Sequence, residues 1–253
     1  MGQGSALGER NGVRDQFVHS RLLLSLSDAD LALLAPHLVP VALERDTVLF
    51  EPGDDVGSCH FPADITMVSL VVGLPDGAVV ETATIGREGA VGGIVSMGHK
   101  PAFARAVVQI SGPAFRIQTD QLDRLKEQSG SLRDTLARYA DCLIAQTLQS
   151  VACNALHELE RRLSRWLLTA QDRLGSDEVP LTQEFLAEML GVQRTTVTGV
   201  ASALQSRGLI RYQRGRIIVL DREGLEAASC PCYDAVRTHF EAVLPNVYPA
   251  FTG

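Results

Sequence analysis

Gln183-Glu-Phe-Leu-Ala-Glu-Met-Leu-Gly-Val-Gln-Arg-Thr-Thr-Val-Thr-Gly-Val-Ala-Ser202 meets the steric demands of two short helices joined by a tight turn. Ala187 is small enough for the helices to approach, and Gly191, four residues on, can take the positive φ that the turn requires. Leu186, Leu190, Val192, Val197 and Val200 supply the apolar faces, and the outward positions are mostly polar. With a second helix beginning near Gln193, the side chains of Gln193, Arg194, Thr195 and Thr198 project from its first turns, where a recognition helix meets base edges. Arg194 carries most weight, because a guanidinium pairs bidentately with O6 and N7 of guanine. Thr182 stands at the N-cap of the first helix, placed to meet a phosphate.

On the C-terminal side, Arg211-Tyr-Gln-Arg214-Gly-Arg216 followed by the apolar Ile217 to Leu220 reads as a hairpin wing whose arginines straddle a phosphate backbone. A net charge of −7 speaks against a nucleic-acid partner until its distribution is considered. Val192 to Leu220 holds five arginines (Arg194, Arg207, Arg211, Arg214, Arg216) and no Asp or Glu, so one short region is strongly basic within an acidic chain. A helical hairpin beside an unrelated basic turn explains neither the wing nor this asymmetry. Double-stranded DNA is the implied partner.

Upstream the pattern changes. Leu34 to Ile117 is rich in Val and broken by turn signals at Glu51 to Asp54, Leu74 to Gly77 and Ser111 to Pro113. This predicts a small antiparallel roll of short strands, Ala78 to Ile85 and Arg105 to Ile110 among them. Ser27, ahead of Asp28 and Asp30, caps a short helix before it. After Asp120 the period is helical. Leu132, Leu136, Tyr139 and Leu143 form one seam, the candidate dimer contact, and Ala140, Ile144, Leu148, Val151 and Ala155 form a neighbouring stripe. Two apolar faces imply two partners, the roll and a second copy, with a core helix inside a monomer as the alternative. A further amphipathic helix runs from His157 to Leu174 and ends at Gly175. The expected layout is α+β: a polar arm (1–19), a β-roll sensor (20–128), a dimerisation helix (129–154), a winged helix-turn-helix (155–228) and a tail (229–253).

The chain has 253 residues, 45% hydrophobic and 21% charged, enough for two modest domains with their own cores. Its first residues carry no signal-peptide core, and the longest apolar stretch, Ile65 to Leu74, is interrupted and falls short of the roughly 20 residues of a membrane helix. A cytoplasmic protein without membrane contact is expected. Five cysteines (Cys59, Cys142, Cys153, Cys230, Cys232) form no disulfide framework and predict reduced thiols. Cys230-Pro-Cys232 has the chemistry to ligate zinc or copper, but only His239 is near in sequence, so a packed tail and no metal site are expected. The rival class, a cupin-like β-roll metalloenzyme, needs clustered ligands. The six histidines are scattered, so no catalysis is expected.

The order of β-roll, long helix and winged helix over residues 20 to about 228 resembles the Crp/Fnr family of transcription regulators. Leu181 to Ile210 looks like the family's helix-turn-helix, with Arg194, Thr196 and Val197 at its Arg-x-Thr-Val signature. Thr195 and Gly199 stand where many members carry Glu and Arg, so the usual half-site sequence does not carry over. The resemblance implies a homodimer on near-palindromic DNA, recognition helices about 34–36 Å apart in successive major grooves, and RNA polymerase as a further partner. It also implies an effector pocket around Arg87, Glu88, Gly89, Arg105 and Ala106. Members that bind cyclic nucleotides hold the ribose with the Glu of a Gly-Glu-Leu stretch and the phosphate with an Arg. Here Arg105 takes the place of the phosphate arginine, but Ala90 takes that of the glutamate, which marks a degenerate pocket. An anion contact without the ribose anchor binds weakly, so a non-nucleotide effector or none is expected, cyclic-nucleotide control being the alternative. No cofactor is required. Members with an iron–sulfur cluster carry cysteines near the N-terminus, whereas none precedes Cys59 here, and an isolated histidine such as His60 is more often structural than a haem ligand.

Overall fold

The computed structural model describes residues 13–75 and 79–248. Residues 1–12 of the expected arm and the turn expected at Gly77 lie outside them. After helical residues at 13–15 come two short helices, α1 (Arg21–Leu24) and α2 (Asp28–Leu34), and Ser27 caps α2 by accepting from the Asp30 amide at 3.1 Å. Seven strands follow in two antiparallel sheets. The first holds β1 (Val39–Leu43), β7 (Gly112–Gln118) and β3 (Ser58–Pro62) in that order, and the second holds β2 (Val48–Phe50), β6 (Arg105–Ile110), β4 (Met67–Gly73) and β5 (Val79–Ile85). Alternation along these strands sends Leu43, Val68, Ile85, Ala106, Val108 and Ala114 into one interior cluster. Each large aliphatic chain buried there contributes about 1.5–3 kcal/mol.

Helix α3 (Thr119–Gln128) leads into α4 (Gly130–Leu156), 27 residues long. The seam expected at the dimer contact is used differently. Leu132, Leu136 and Tyr139 are buried in the protomer's own core with Leu22, Leu31, Ile117 and Leu122, and Leu143 packs against the roll interior. The close fit has a local cause at Gly89, where a Cβ would overlap the Tyr139 hydroxyl. The second stripe faces outward instead, with Ile144 at 56%, Leu148 at 65% and Val151 at 63% exposure.

Helix α5 (Leu159–Leu174) ends at Gly175, whose φ of 62° closes it. Beyond it lie β8 (Glu178–Val179), α6 (Gln183–Leu190), α7 (Arg194–Ser206), β9 (Ile210–Gln213) and β10 (Arg216–Val219), the strands paired in the order β8-β10-β9. Leu163, Trp166, Leu167, Leu186, Val197, Leu204 and Ile217 form their core. After α8 (Arg222–Ala228), helix α9 (Cys232–Val243) returns to pack on α4. Its Val236 and Phe240, with Leu244, Val247 and Tyr248, enter the core that holds Leu132 and Tyr139. At the other end Phe17 is buried edge-to-face on Phe115, with ring centroids 4.8 Å apart. The boundaries drawn at 19 and 229 therefore cut through packed structure. Among the described residues, no helix is long and apolar enough to cross a membrane.

Candidate nucleic-acid interface and sensor cavity

The Thr182 Oγ1 accepts from the Phe185 amide at 3.2 Å and so starts α6. Gly191 stops it in the left-handed region (φ 64°, ψ 39°), and α7 begins three residues later at Arg194, with Gln193 as its N-cap. Val197, Ala201 and Leu204 turn inward, leaving Gln193, Arg194, Thr195 and Thr198 exposed on one side. Thr198 Oγ1 lies 2.7 Å from Gln183 Oε1 and 3.0 Å from the Arg194 carbonyl, so this hydroxyl also fixes one helix against the other. In the wing, Gln213 pairs with Arg216 across a two-residue turn. Arg214 (φ 48°) and Gly215 (φ 77°) are both left-handed, as the twist of such a hairpin requires.

The basic residues divide by commitment. Arg216 is tied to Glu178 and Arg207 to Glu160. Arg194, Arg211 and Arg214 are exposed and have no ion pair among the described residues. The charge available to a phosphate or a base therefore comes from the tip of α7 and from the wing.

The roll encloses an open cavity of about 690 Å³, within the size range of small-molecule sites. Leu70, Ile85, Ala90, Ile94, Phe103 and Leu143 line much of it. Of the residues expected there, Arg87, Glu88, Gly89, Arg105 and Ala106, none contributes to the lining, and each has another occupation. Ala106 is buried on β6 within the roll interior. Arg105 is exposed and pairs bidentately with Glu51, both N···O distances being 2.8 Å, and this hydrogen-bonded pairing raises its pKa. Arg87 donates to the Asp172 carbonyl at 3.3 Å. Glu88 is buried and meets Arg173 of α5 at 2.7 Å, and Gly89 makes room for Tyr139. Arg173 also donates to Gln146 of α4 at 3.0 Å, and Gln146 to the Thr84 carbonyl at 2.9 Å. This stretch thus locks the roll to α4 and α5.

Lys100 is the cationic residue of the cavity wall, and it is neutralised by Asp123 at 2.6 Å. Burial pushes the Asp123 carboxyl up, but hydrogen bonds from Lys100 and Lys126 outweigh it and hold the pKa below the usual range. His60, on β3, is buried, and its pKa is pushed down to about 4, first by burial and then by Arg116.

One group escaped the sequence reading. Cys230 and Cys232 meet Cys153 and His157, the four donor atoms lying within 4.8 Å of one another, whereas His239 is exposed elsewhere on α9. The expectation of a packed tail without a metal site weighed only His239 beside the two cysteines, whereas the fold brings Cys153 and His157 to them. Its signal was the Cys153-x3-His157 spacing at the end of α4, which places two ligands on one helical face.

Residues 161–228 match the model of the Crp-like helix-turn-helix domain. No curated protein matches the chain in sequence. Among solved structures, FixK2 from Bradyrhizobium japonicum superposes with a TM-score of 0.66 at 14% identity, covering 76% of this chain and 98% of its own. TTHB099, a CRP-family transcriptional regulator from Thermus thermophilus, gives 0.63 at 19% identity over 75% of this chain and 96% of its own. CLP from Xanthomonas campestris, a c-di-GMP-responsive global regulator, gives 0.61 at 16% identity over 76% and 99%. The roll, the long helix and the basic helix pair with its wing together make this chain a carrier of a Crp-like helix-turn-helix domain on the fold of the Crp/Fnr transcription regulators.

Proposed function

We propose that the protein is a transcription regulator that reads duplex DNA as a homodimer and is controlled through the apolar cavity of its roll. The observation that carries the reading is the uncommitted charge of Arg194, Arg211 and Arg214, all exposed, at a helix start and a wing. Arg194, with Gln193, Thr195 and Thr198 beside it, faces the bases. Thr182, Arg211 and Arg214 face the phosphates, and Arg216 joins them only if it leaves Glu178. The second copy docks on the Ile144, Leu148 and Val151 stripe, which α4 presents to solvent. RNA polymerase is the further partner at promoters. The cavity suits an apolar small molecule better than a cyclic nucleotide, because Arg105 lies outside its lining and Lys100 is already neutralised. Filling it would bear on Leu143 of α4, a direct route from effector to dimer helix.

In vitro selection from random duplex DNA, with and without cyclic AMP and cyclic GMP, tests this reading. Enrichment of an inverted repeat in every arm supports it. Enrichment only with a nucleotide would return Arg105 to the role of phosphate ligand, and no enrichment in any arm would count against DNA reading.

A further inference from the structure

We propose that Cys153, His157, Cys230 and Cys232 bind one zinc ion that fastens the C-terminal helix to the junction between α4 and α5. The four donors come from two places far apart in sequence. Cys153 lies in the last turn of α4, and His157 caps that helix. Cys230 and Cys232 flank Pro231, the residue that starts α9. Folding brings Cys153 Sγ to 3.5 Å from Cys230 Sγ, and Cys232 Sγ to 3.5 Å from His157 Nδ1. A tetrahedral zinc with ordinary bond lengths sets its sulfurs about 3.8 Å apart and a sulfur and an imidazole nitrogen about 3.6 Å apart. These two pairs therefore already stand near ligand separations, and all four donors lie within 4.8 Å of one another.

Buried cysteines alone usually mean packing, so the surroundings decide. The three sulfurs form a cluster of their own, with Cys153 0%, Cys230 1% and Cys232 2% exposed, and His157 is half-buried at its edge, an entry path for an ion. Gln149 donates from Nε2 to the Cys232 sulfur at 3.0 Å, the kind of outer hydrogen bond that steadies a thiolate ligand. Three thiolates, a neutral imidazole and Zn²⁺ leave one net negative charge, and cations stand beside it. Arg165 acts electrostatically on Cys153, and Arg162 on both Cys153 and Cys230. The Nε atoms of these two arginines are buried without a hydrogen-bond acceptor among the described residues. On binding, zinc takes the place of the three thiol protons, which pass to solvent.

Three thiolates and one imidazole, all four positions filled by protein, make a closed site of the structural zinc type. An iron–sulfur cluster would put several atoms between its thiolates, whereas donors within 4.8 Å of one another enclose a single ion. The site would hold α9 on α4 and fix residues 157 and 158, the link between α4 and the helix-turn-helix module.

The test is metal analysis of the full-length protein, expressed with zinc available and purified under reducing conditions. About one zinc per chain is expected, kept in Cys142→Ser and lost in Cys232→Ser and in His157→Ala. Because those variants can fail by misfolding, chelated wild-type protein is also titrated with Co²⁺. Visible bands of tetrahedral cobalt with thiolate charge transfer are expected at one equivalent, and Zn²⁺ should displace them. Absence of metal with no cobalt spectrum, iron or copper in place of zinc, or a Cys153–Cys230 disulfide in the freshly reduced protein would each overturn the proposal.

Discussion

Arginines serve opposite ends on the helix-turn-helix with its wing and around the roll with its junction to α5. Arg194, Arg211 and Arg214 stand in solvent with no carboxylate partner among the described residues, whereas Arg105 is held by Glu51 and Arg173 is sealed against Glu88. A cation that must meet a phosphate or a base is left free to do so, and one that holds domains together is neutralised where it is buried. The same side chain is therefore informative only with its partner in view. Arg105, read from sequence as an anion ligand, is neither free nor buried, because Glu51 holds it at the surface of the roll.

The sharpest way to break that contrast is to remove the buried member. Arg173→Ala strands Glu88 and should cost about 3–5 kcal/mol, read as a fall in the denaturant midpoint. Replacing both partners, Arg173→Met with Glu88→Leu, should recover most of the loss. His60 extends the comparison to a buried base. With its pKa pushed down to about 4 in the folded protein and about 6.5 in the unfolded chain, His60 contributes stability that is complete above pH 6.5. That contribution is lost as pH falls towards 4, by at most about 3 kcal/mol, because the unfolded state binds the proton first. Urea unfolding across this range should show the slope, and His60→Gln should flatten it.

The free cations should behave otherwise, with stability untouched and binding altered. Arg194→Ala should relax preference at one base pair per half-site, a loss of about 1–3 kcal/mol of discrimination in competition binding. Arg214→Ala should weaken all sequences alike and lower the salt slope by about one. The smallest effect belongs to Arg105→Ala. An exposed ion pair is worth under about 1 kcal/mol, and the affinity of any cavity ligand should not change.

How much of this was legible in the sequence follows the same division. The helix pair is specified within about twenty positions, because Ala187, Gly191 and the apolar residues around them act through local sterics, and Thr182 and Arg194 fall where their spacing puts them. The strands at β5 and β6 and the cap at Ser27 are local in the same way. The cavity is not. Its walls come from residues as distant as Phe50 and Leu143, and nothing near Glu88 in the chain announces that Arg173 will claim it. Periodicity showed that α4 has two apolar faces but not which faces the roll. The close fit of Tyr139 against Gly89 marks the buried face. The thiol cluster is the extreme case, joining Cys153 to Cys230 across 77 residues through the return of α9.

The central claim is dimeric reading of DNA by α7, and hydroxyl-radical footprinting on a selected inverted repeat tests it most directly. Two protected tracts one helical turn apart are predicted, with Leu148→Glu, which charges the exposed stripe, abolishing the paired pattern. A single protected tract with wild-type protein, or a paired footprint that survives Leu148→Glu, would contradict the account.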